Sequence, residues 1–407
     1  MSSKIMSALA LAGCALPVLA QAEADVAPNT TVGSQVFFDA SSVSNQQNSN
    51  LPTKVNVAPS GNGFDIKRLY LSFDHRFSDA WSANLTTDAQ YLSTPSVVVN
   101  PAPVAPTTVV TANTGGVTEL FIKKLYLQAK LSDALNLRIG SSNSPWVPFV
   151  ESLYGYRWVE KTVTDRLGFA NSADWGLNAG GNIGATGLSY SVSAINGGGF
   201  KNPSRSKTVD VETRISYVPI PGLTLGIGGY EGHLGQVTVL NESFNKHTAT
   251  RVDATIGYTI AGFRVGGEYY RAKNFKTVNN GTAGLFGTSA VVASTATGVA
   301  TSDTATGGSI WASYAFAEQY AVFARADDNK LSKDVLPSLK DKFFLVGVGF
   351  KPLKTIDLAL VYKYEKVQNG AVSVSSADAN GSFTTGGSNA ANDGKFSEVG
   401  LYAQWTF

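Results

Sequence analysis

The sequence is poor in cysteine, in charge of either sign and in long apolar runs. Its one cysteine, Cys14, rules out a framework of internal disulfides. The 32 basic and 30 acidic residues leave a net charge of +2, which excludes nucleic acid as an expected partner. After the N-terminal segment, no uncharged stretch reaches the roughly 20 residues that a helix needs to cross a bilayer, which excludes a helical membrane protein.

The abundant residues suit one large all-β protein. Among 407 residues there are 41 glycines, 16 tyrosines, 21 phenylalanines and 6 tryptophans, and 43% of the chain is apolar. This apolar content is too high for a disordered chain. Glycine and aromatic residues at such frequency favour many strands joined by turns.

The N-terminus has the order of a secretory signal peptide. A single Lys4 precedes an apolar run, and Ala20-Gln21-Ala22 offers a small-residue cleavage site. We therefore predict a signal peptide over residues 1–22 and a mature protein over residues 23–407. Lipid attachment at Cys14, which closes a lipoprotein-like Leu-Ala-Gly-Cys, is the alternative. The apolar run continues past Cys14, and this favours the signal peptide.

Polar and apolar residues alternate with the period of a β-strand along most of the remaining chain. In one segment Leu69, Leu71 and Phe73 alternate with polar side chains, and the pattern recurs in KKLYLQAKL and IDLALVYKYEK. About 16 strands of this kind can be counted. Their predicted starts are Val32, Phe64, Trp81, Thr118, Leu135, Asp174, Gly187, Lys207, Leu223, Ala249, Gly262, Gly307, Gln319, Asp341, Ile356 and Lys395.

The connections between these strands alternate between short and long. Ser78–Ala80 and Ser132–Ala134 are short turns, whereas VVVNPAPVAPTTVVTANTGG is one of several long, low-complexity pieces. A transmembrane β-barrel has short periplasmic turns and longer outer loops, and its charged strand faces can line water. A soluble sandwich would have to bury those charges. We therefore predict an all-β fold, a transmembrane antiparallel up-and-down β-barrel of about 16 strands.

The last residues, LYAQWTF, extend the same alternation to the C-terminus. The alternation predicts that one set of side chains faces outward, namely Val399, Leu401, Ala403, Trp405 and Phe407. The other set, Glu398, Gly400, Tyr402 and Gln404, is expected to face inward. Pairing of this strand with the first strand, near Val32 to Asp39, would close the barrel and remove both edges. A terminal aromatic residue also resembles the recognition signal of bacterial outer-membrane barrels.

The sequence carries no recognisable catalytic or ligand-binding motif. The three histidines, His75, His233 and His247, stand apart from one another, and there is no Walker loop or G-x-S-x-G motif. SADANG, residues 376–381, faintly resembles a calcium loop but has Gly387 where the chelating Glu belongs. We predict no enzyme activity, no catalytic residue, no metal and no cofactor.

Two stretches give a resemblance to a known family. KRLYLSFDHRFSDAWSANLTTDAQ and the later KKLYLQAKLSDALNLRIGSSNSPWVPFVESLYGYRWVEKT are similar to the phosphate-selective porin O/P family over roughly residues 64 to 180. The resemblance implies a 16-stranded barrel in the outer membrane of a Gram-negative bacterium, surrounded by its lipid, and a homotrimer. It also implies a third outer loop, here 142–172, that folds inward and constricts the pore.

The residues expected to line that pore are of both charges. They are Arg68, Asp88, Lys124, Arg138, Glu151, Arg157, Lys161 and Arg166. An anion-selective pore needs an excess of Arg and Lys, and the inner strand faces carry many carboxylates as well. Arg68, Lys124 and Arg138 form the basic cluster expected to give a weak anion preference, and strict phosphate selectivity does not follow.

The sequence therefore predicts a porin for passive diffusion of small hydrophilic solutes or ions. One alternative is a substrate-specific channel for sugars or organic acids, in which aromatic residues of 142–172 form a slide. Another is an adhesin or receptor that acts through the long Ser/Thr/Gly-rich loops. A further alternative for the loop itself is a solvated cap over the barrel.

Overall fold

The alternating segments form a closed β-barrel. The computed structural model of the protein describes residues 29–47, 49, 55–56, 60–98, 110–203, 205–237, 248–275, 284–285, 302–369, 371–374, 383–387 and 393–407. The signal peptide predicted over residues 1–22, and Cys14 with it, lies outside the described residues, as does the SADANG segment.

Sixteen strands make the barrel, and we number them in chain order. They are β1 Asn29–Gln47, β2 Gly61–Arg76, β3 Trp81–Val98, β4 Val110–Ser132, β5 Leu135–Asn143, β6 Ala173–Asn182, β7 Leu188–Ile195, β8 Asp210–Ile220, β9 Leu223–Gly232, β10 Ala249–Ile260, β11 Phe263–Lys273, β12 Thr304–Phe316, β13 Tyr320–Lys330, β14 Lys340–Leu353, β15 Ile356–Gln368 and β16 Gly394–Thr406. Fifteen of the sixteen predicted starts lie within three residues of these.

The exception is β4, which begins at Val110 instead of the predicted Thr118. The composition of residues 110–117, which are rich in Thr, Val and Gly, predicts a long loop. In the structure they extend β4 and pair with β3 as far as Val98. Valine and threonine favour strands, and this preference prevails once a partner strand lies alongside.

Each strand pairs antiparallel with its neighbour in sequence, and β16 returns to β1. The closing register runs from Gln35 opposite Thr406 to Gln46 opposite Lys395. The Ser34 and Phe407 backbones add two hydrogen bonds, of 2.9 and 3.2 Å, below this register. The predicted pairing of the two terminal strands is thus confirmed, and it extends seven residues past Asp39. A closed ring leaves no edge strand open to aggregation.

The two faces of the barrel have opposite character. Large apolar side chains point outward and are exposed, for example Ile310 at 69% and Leu401 at 52%. Charged side chains point inward and are buried, for example Arg251 and Lys363. A soluble barrel shows the reverse distribution, with an apolar interior. In β16 the predicted outward and inward sets are confirmed, although the small Ala403 is covered by its neighbours.

Short and long connections lie at opposite ends of the barrel. The turns at 77–80, 133–134, 221–222, 261–262 and 354–355 contain two to four residues each. Long connections follow each of the odd-numbered strands, beginning with 48–60 and ending with 369–393. We call the two ends the turn end and the loop end.

In the described residues, little regular structure lies outside the barrel wall. Val55–Asn56 pairs with β1, and Gly284–Leu285, Ala371–Val374 and Phe383–Gly387 form a small separate sheet. Two helices, α1 Val147–Tyr154 and α2 Val163–Arg166, lie between β5 and β6. In the described ranges no helix has the length and apolar character required to span a membrane.

Candidate functional site

Among the connections that the structure describes in full, the one between β5 and β6 enters the barrel. Its first helix, α1, begins with a proline in its first turn, Pro148, where a missing N–H costs no hydrogen bond. The helix ends at Gly155, whose φ of 81° is left-handed, and the Gly155 N–H donates to the Glu151 carbonyl over 2.9 Å. We call residues 144–172 the inner loop.

Small residues on the barrel wall make room for the inner loop. Gly226 and Gly228 on β9 lie against Phe149 and Trp146 of the loop. A Cβ at Gly228 would come within 2.5 Å of the Trp146 ring. Gly257 on β10 admits Leu153 in the same way, at 3.2 Å. These glycines therefore form a shallow seat that only a wall without side chains could provide.

Arg166, in α2, anchors the inner loop to the barrel wall. Its guanidinium contacts the carboxylates of Asp341 at 2.6 Å, Asp327 at 3.1 Å and Glu365 at 3.1 Å. All four side chains are fully buried. A buried carboxylate that loses its partner is costly, so this cluster fixes α2 against β13, β14 and β15.

Wall residues also bind the loop backbone. Lys363 donates to the Val159 carbonyl over 2.9 Å and to the Glu160 carboxylate over 3.0 Å. Arg251 donates to the Phe169 carbonyl over 2.6 Å, and Arg325 donates to the Lys161 carbonyl. These contacts satisfy backbone groups that a loop inside a barrel would otherwise leave unpaired.

Aromatic side chains complete the packing on the same side. Tyr156 stacks on Phe323 with ring centroids 4.0 Å apart, and Tyr154 meets Trp311 edge to face at 5.7 Å. The Trp146 indole donates to Glu268 over 2.8 Å. The inner loop thus packs against the half of the wall from β8 to β15.

An opening remains between the inner loop and the other half of the wall. It is a cavity of about 620 Å³ bounded by β1 to β4 on one side and by the loop on the other. Its residues are Gly33, Ser34, Gln35, Phe37, Tyr70, Ser72, Thr86, Lys123, Lys124, Asn143, Pro148, Glu151, Ser152, Gly155, Arg157, Trp158, Ser172, Gln404, Thr406 and Phe407. We call this cavity the opening.

Three cationic side chains and one anionic side chain line the opening: Lys123, Lys124, Arg157 and Glu151. Glu151 and Arg157 neutralise each other across 2.6 Å. The Lys123 ammonium donates to the Tyr70 hydroxyl over 3.1 Å and lies 4.4 Å from the centre of that ring. Within the described ranges, no carboxylate lies within ion-pair distance of Lys123 or Lys124, so this wall is positively charged.

Lys123 reaches the opening because β4 is irregular at that point. Thr86 pairs with Lys124, but the next residue, Thr87, pairs with Ile122, so Lys123 is the extra residue of a β-bulge. In a regular strand, neighbours point to opposite faces, and Lys123 would point outward. The bulge turns both lysines inward.

The same irregularity occurs in β2. Phe37 pairs with Arg68 and Phe38 with Ile66, which leaves Lys67 as the extra residue. Lys67 and Arg68 are both buried, and Lys67 forms an ion pair with the inward Asp39 at 3.2 Å. The two bulges fall in matching hexapeptides, IKRLYL and IKKLYL, at residues 66–71 and 122–127.

The eight residues predicted to line a pore occupy three kinds of place. Lys124, Glu151 and Arg157 line the opening. Arg68 and Asp88 pair with each other at 3.7 Å inside the wall, and Arg138 donates to Gln128 over 2.7 Å. Lys161 and Arg166 are buried on the anchored side of the inner loop. Their role in a pore stays a prediction.

Burial changes the acidity of one of these residues. Desolvation raises the pKa of the Glu151 carboxyl above its ordinary value, against the opposing effect of the Arg157 guanidinium. The Lys123 ammonium acts in the same direction as Arg157. Glu151 is therefore a group at the opening that loses its negative charge at a higher pH than an ordinary glutamate does.

The fold is shared with solved bacterial outer-membrane proteins. An anion-selective porin from Comamonas acidovorans matches with a TM-score of 0.58 and 10% identity over 94% of this chain and 100% of that chain. The outer membrane channel DcaP of Acinetobacter baumannii matches at 0.56 and 11%, over 95% and 99%. Salmonella typhi OmpF, in a complex with daunomycin, matches at 0.52 and 9%, over 93% and 97%.

By sequence, no protein family and no curated protein matches the chain. The likeness to solved structures is one of fold, because the identities are low. The chain therefore has the general porin fold, a closed antiparallel barrel of sixteen strands.

Proposed function

We propose that this protein is a porin of the Gram-negative outer membrane, through which small hydrophilic solutes and ions diffuse passively with a weak preference for anions. The observation that carries the proposal is the opening itself. A cavity of about 620 Å³ lies beside an anchored inner loop, and Lys123 and Lys124 on its wall have no carboxylate partner in the described part of the chain.

The membrane location is supported by the distribution of polar groups. In hydrocarbon every backbone N–H and C=O needs an internal partner, which a closed ring of strands supplies. Exposed apolar side chains such as Ile256 and Ile310 suit lipid, and the buried inward charges suit a water-filled lumen. Short turns at one end and long loops at the other match the periplasmic and outer sides of such barrels.

We propose that the inner loop sets the size of the passage. The predicted constriction loop, 142–172, corresponds to the inner loop plus the last two residues of β5. Ionic anchors at Arg166 and Lys363 hold it to one wall. A loop held at so many points acts as a fixed narrowing and not as a flexible gate.

The selectivity is expected to be weak. Arg157 is paired with Glu151, and most other inward charges on the described strands are paired as well, for example Arg251 with Glu212 at 2.8 Å. On the described strands, the inward cations without an ion pair include Lys123, Lys124 and nearby Arg138, and also Arg214 and Arg264, which contact the Phe149 ring and the Ser152 carbonyl of the inner loop. A stretch of two or three cations attracts anions modestly, in contrast to a continuous ring of Arg and Lys.

Two finer assignments belong to the same proposal. The IKRLYL and IKKLYL strands carry the resemblance to the phosphate-selective porin O/P family, and the resemblance implies a homotrimer. Cross-linking of the purified protein tests the trimer. A competition between phosphate and chloride in conductance measurements tests phosphate selectivity, and we expect comparable permeation of both.

Single-channel conductance in a planar bilayer tests the function directly. The refolded protein should give stable ohmic steps, and a variant without residues 147–166 should give larger ones. Heat-modifiable migration on a gel shows beforehand that the barrel has formed. A barrel that folds by this criterion and passes no current would refute a porin.

The structure gives little support to the two alternative functions. Most aromatic residues of the inner loop, among them Trp146, Tyr154 and Phe169, are buried against the wall, so they cannot form a slide for sugars or organic acids. The long loops on which an adhesin would depend fall largely outside the described residues. We propose transport and no enzymatic role, because no catalytic constellation stands out in the sequence.

A further inference from the structure

Three lysines form a row across the outer face of the barrel near its loop end. Lys342 on β14 lies directly opposite Lys366 on β15, and Lys366 lies directly opposite Lys395 on β16. All three belong to the outward set of their strands, with Phe344, Tyr364 and Val399. We call them the lysine row.

Such a row is unfavourable unless opposite charge compensates it. Neighbouring strands are about 4.8 Å apart, and like charges directly opposite each other destabilise a sheet. Asp328 lies 3.5 Å from Lys342, and Asp393 lies 3.0 Å from Lys366. The Lys342 pair is exposed on both sides, at 59% and 71%, so it contributes little.

The positive charge of Lys395 is compensated less well than the charges of Lys342 and Lys366. Its ammonium lies 5.5 Å from the centre of the Tyr364 ring, and no carboxylate within the described ranges pairs with it. The row therefore presents excess positive charge to its surroundings. In a soluble protein this charge would face water, but here it lies beside exposed apolar residues.

The position of the row relates it to the edge of the apolar band. The next outward positions toward the turn end are Phe344, Tyr364 and Ser397, followed by Val346, Tyr362 and Val399, which are exposed and apolar or aromatic. The row thus lies where hydrocarbon would give way to headgroups on the loop side.

Further cations are concentrated on the same half of the barrel. At the loop end, the outward-facing residues of β11, β13 and β14 include four more cations: Arg271, Lys273, Lys330 and Lys340. On the described part of β1, across the closing seam, Gln46 lies opposite Lys395 and the next outward residue is Ser44, and neither side chain carries a charge. A specific anionic partner explains this asymmetry better than general solubility does, since solubility would distribute charge evenly.

We propose that the lysine row binds the phosphate groups of a phosphorylated glycolipid in the outer leaflet. An ammonium forms charge-assisted hydrogen bonds with phosphate oxygens, and three lysines on adjacent strands span about 10 Å. That length suits a disaccharide headgroup with a phosphate at each end, whose acyl chains then lie along the apolar band. The inference rests on the proposed membrane location, and it is independent of solute passage.

Binding of purified lipid A to the refolded protein in detergent, followed by native mass spectrometry, tests this site. The probes are bisphosphorylated lipid A and its fully dephosphorylated form. We expect the wild-type protein to prefer the bisphosphorylated probe, and the variant K342Q/K366Q/K395Q to bind it about 100-fold more weakly, roughly fivefold for each lysine at an anionic surface. A matched control, K130Q/K351Q/K354Q, removes the same number of charges at the turn end and should bind like wild type.

Two outcomes of the binding comparison would overturn the inference, and a third comes from competition with inorganic phosphate. One is equal binding of both lipid probes by the wild type, which means that phosphate is not recognised. The other is equal loss in the lysine-row and turn-end variants, which means that net charge alone matters. If inorganic phosphate at millimolar concentration displaces the lipid fully, the row is a free-anion site and the proposed lipid site is wrong.

Conductance of the same preparations separates this inference from the proposed function. The K342Q/K366Q/K395Q variant should conduct like wild type, because its lysines lie outside the lumen. A wild-type barrel that binds lipid A but passes no current would contradict the porin alone. A conducting barrel without preference for the phosphorylated probe would contradict the lysine row alone.

Discussion

Replacing Lys123 and Lys124 by glutamine should remove most of the anion preference of the opening. The two ammonium groups lie side by side because of the β4 bulge, and in the described part of the chain neither has a carboxylate partner. The other charges at the opening, Glu151 and Arg157, form a pair at 2.6 Å and contribute little net field. The double variant K123Q/K124Q therefore tests whether these two lysines cause the proposed anion preference.

The magnitude follows from Coulomb attraction in a water-filled passage. An anion about 6 Å from one ammonium gains about 0.7 kcal/mol at the dielectric constant of water. At about 0.1 M salt, screening over this distance reduces the gain to roughly half. Two ammonium groups together contribute about 0.8 kcal/mol, which is roughly a fourfold effect on anion entry. Since cations are repelled equally, the anion-to-cation permeability ratio should fall by at most about 15-fold, the value for ions that pass at this distance from both ammonium groups.

Reversal potential across a salt gradient measures this ratio. K342Q/K366Q is the matched control, because it removes two lysines from the outer face and leaves the lumen unchanged. The control should keep the wild-type reversal potential, and raising the salt to about 1 M should shrink the difference between variants. An unchanged reversal potential in K123Q/K124Q, with normal single-channel steps, would refute the assignment of selectivity to the bulge.

Three further results are expected. Arg166→Met leaves the buried carboxylates of Asp327, Asp341 and Glu365 without this partner, so it should lower the free energy of unfolding by about 3–5 kcal/mol. It should also make the single-channel current noisy. Thermal unfolding and single-channel recording measure the two effects, and Arg205→Gln, in an exposed loop, is the control. Gly228→Ala should lower the free energy of unfolding by about 1–3 kcal/mol, because the new Cβ would displace the Trp146 ring. Gly349→Ala should lower it little, because the nearest atom to its new Cβ is 3.7 Å away. Equal loss of thermal stability in both variants would contradict the proposed packing of Trp146 on Gly228. Because burial raises the pKa of Glu151, its negative charge should be lost at a higher pH than for an ordinary carboxyl. The anion preference of the wild type should therefore increase as Glu151 is protonated on acidification. Glu151→Gln should show this increased anion preference at every pH.

The barrel could be predicted from the sequence because its two signals are local. Inward and outward residues alternate along each strand, and the short turns mark one end of nearly every hairpin. Neither signal depends on distant contacts, so starts such as Trp81, Leu135 and Ile356 were located without knowledge of the partner strands. The start of β4 was missed because Val110 to Val117 has loop-like composition and becomes a strand only beside β3.

The inner loop was only partly predictable, since its partners are distant in sequence. Its large residues suggested that the loop would pack, but nothing local connects Arg166 with Asp341 and Glu365, which are 175 and 199 residues away. For the same reason Arg166 was expected to line a pore, whereas the structure places it in a buried ionic cluster. Charge alone could not distinguish an anchor from a lining residue.

Lys67 and Lys123 show how a departure from alternation could have been recognised. A strict period of two would turn one basic residue of each Lys-Arg or Lys-Lys pair toward the lipid, where it costs about 2–4 kcal/mol near the middle of the membrane. Two consecutive basic residues inside an otherwise apolar-outward strand therefore indicate a bulge, because a bulge lets both point inward. IKRLYL and IKKLYL repeat this pattern, and both carry the bulge at the first lysine. Because a lysine that faces lipid is costly, the pair Lys123-Lys124 predicts a bulge, and the sequence alone then places the Lys123 side chain inside the barrel.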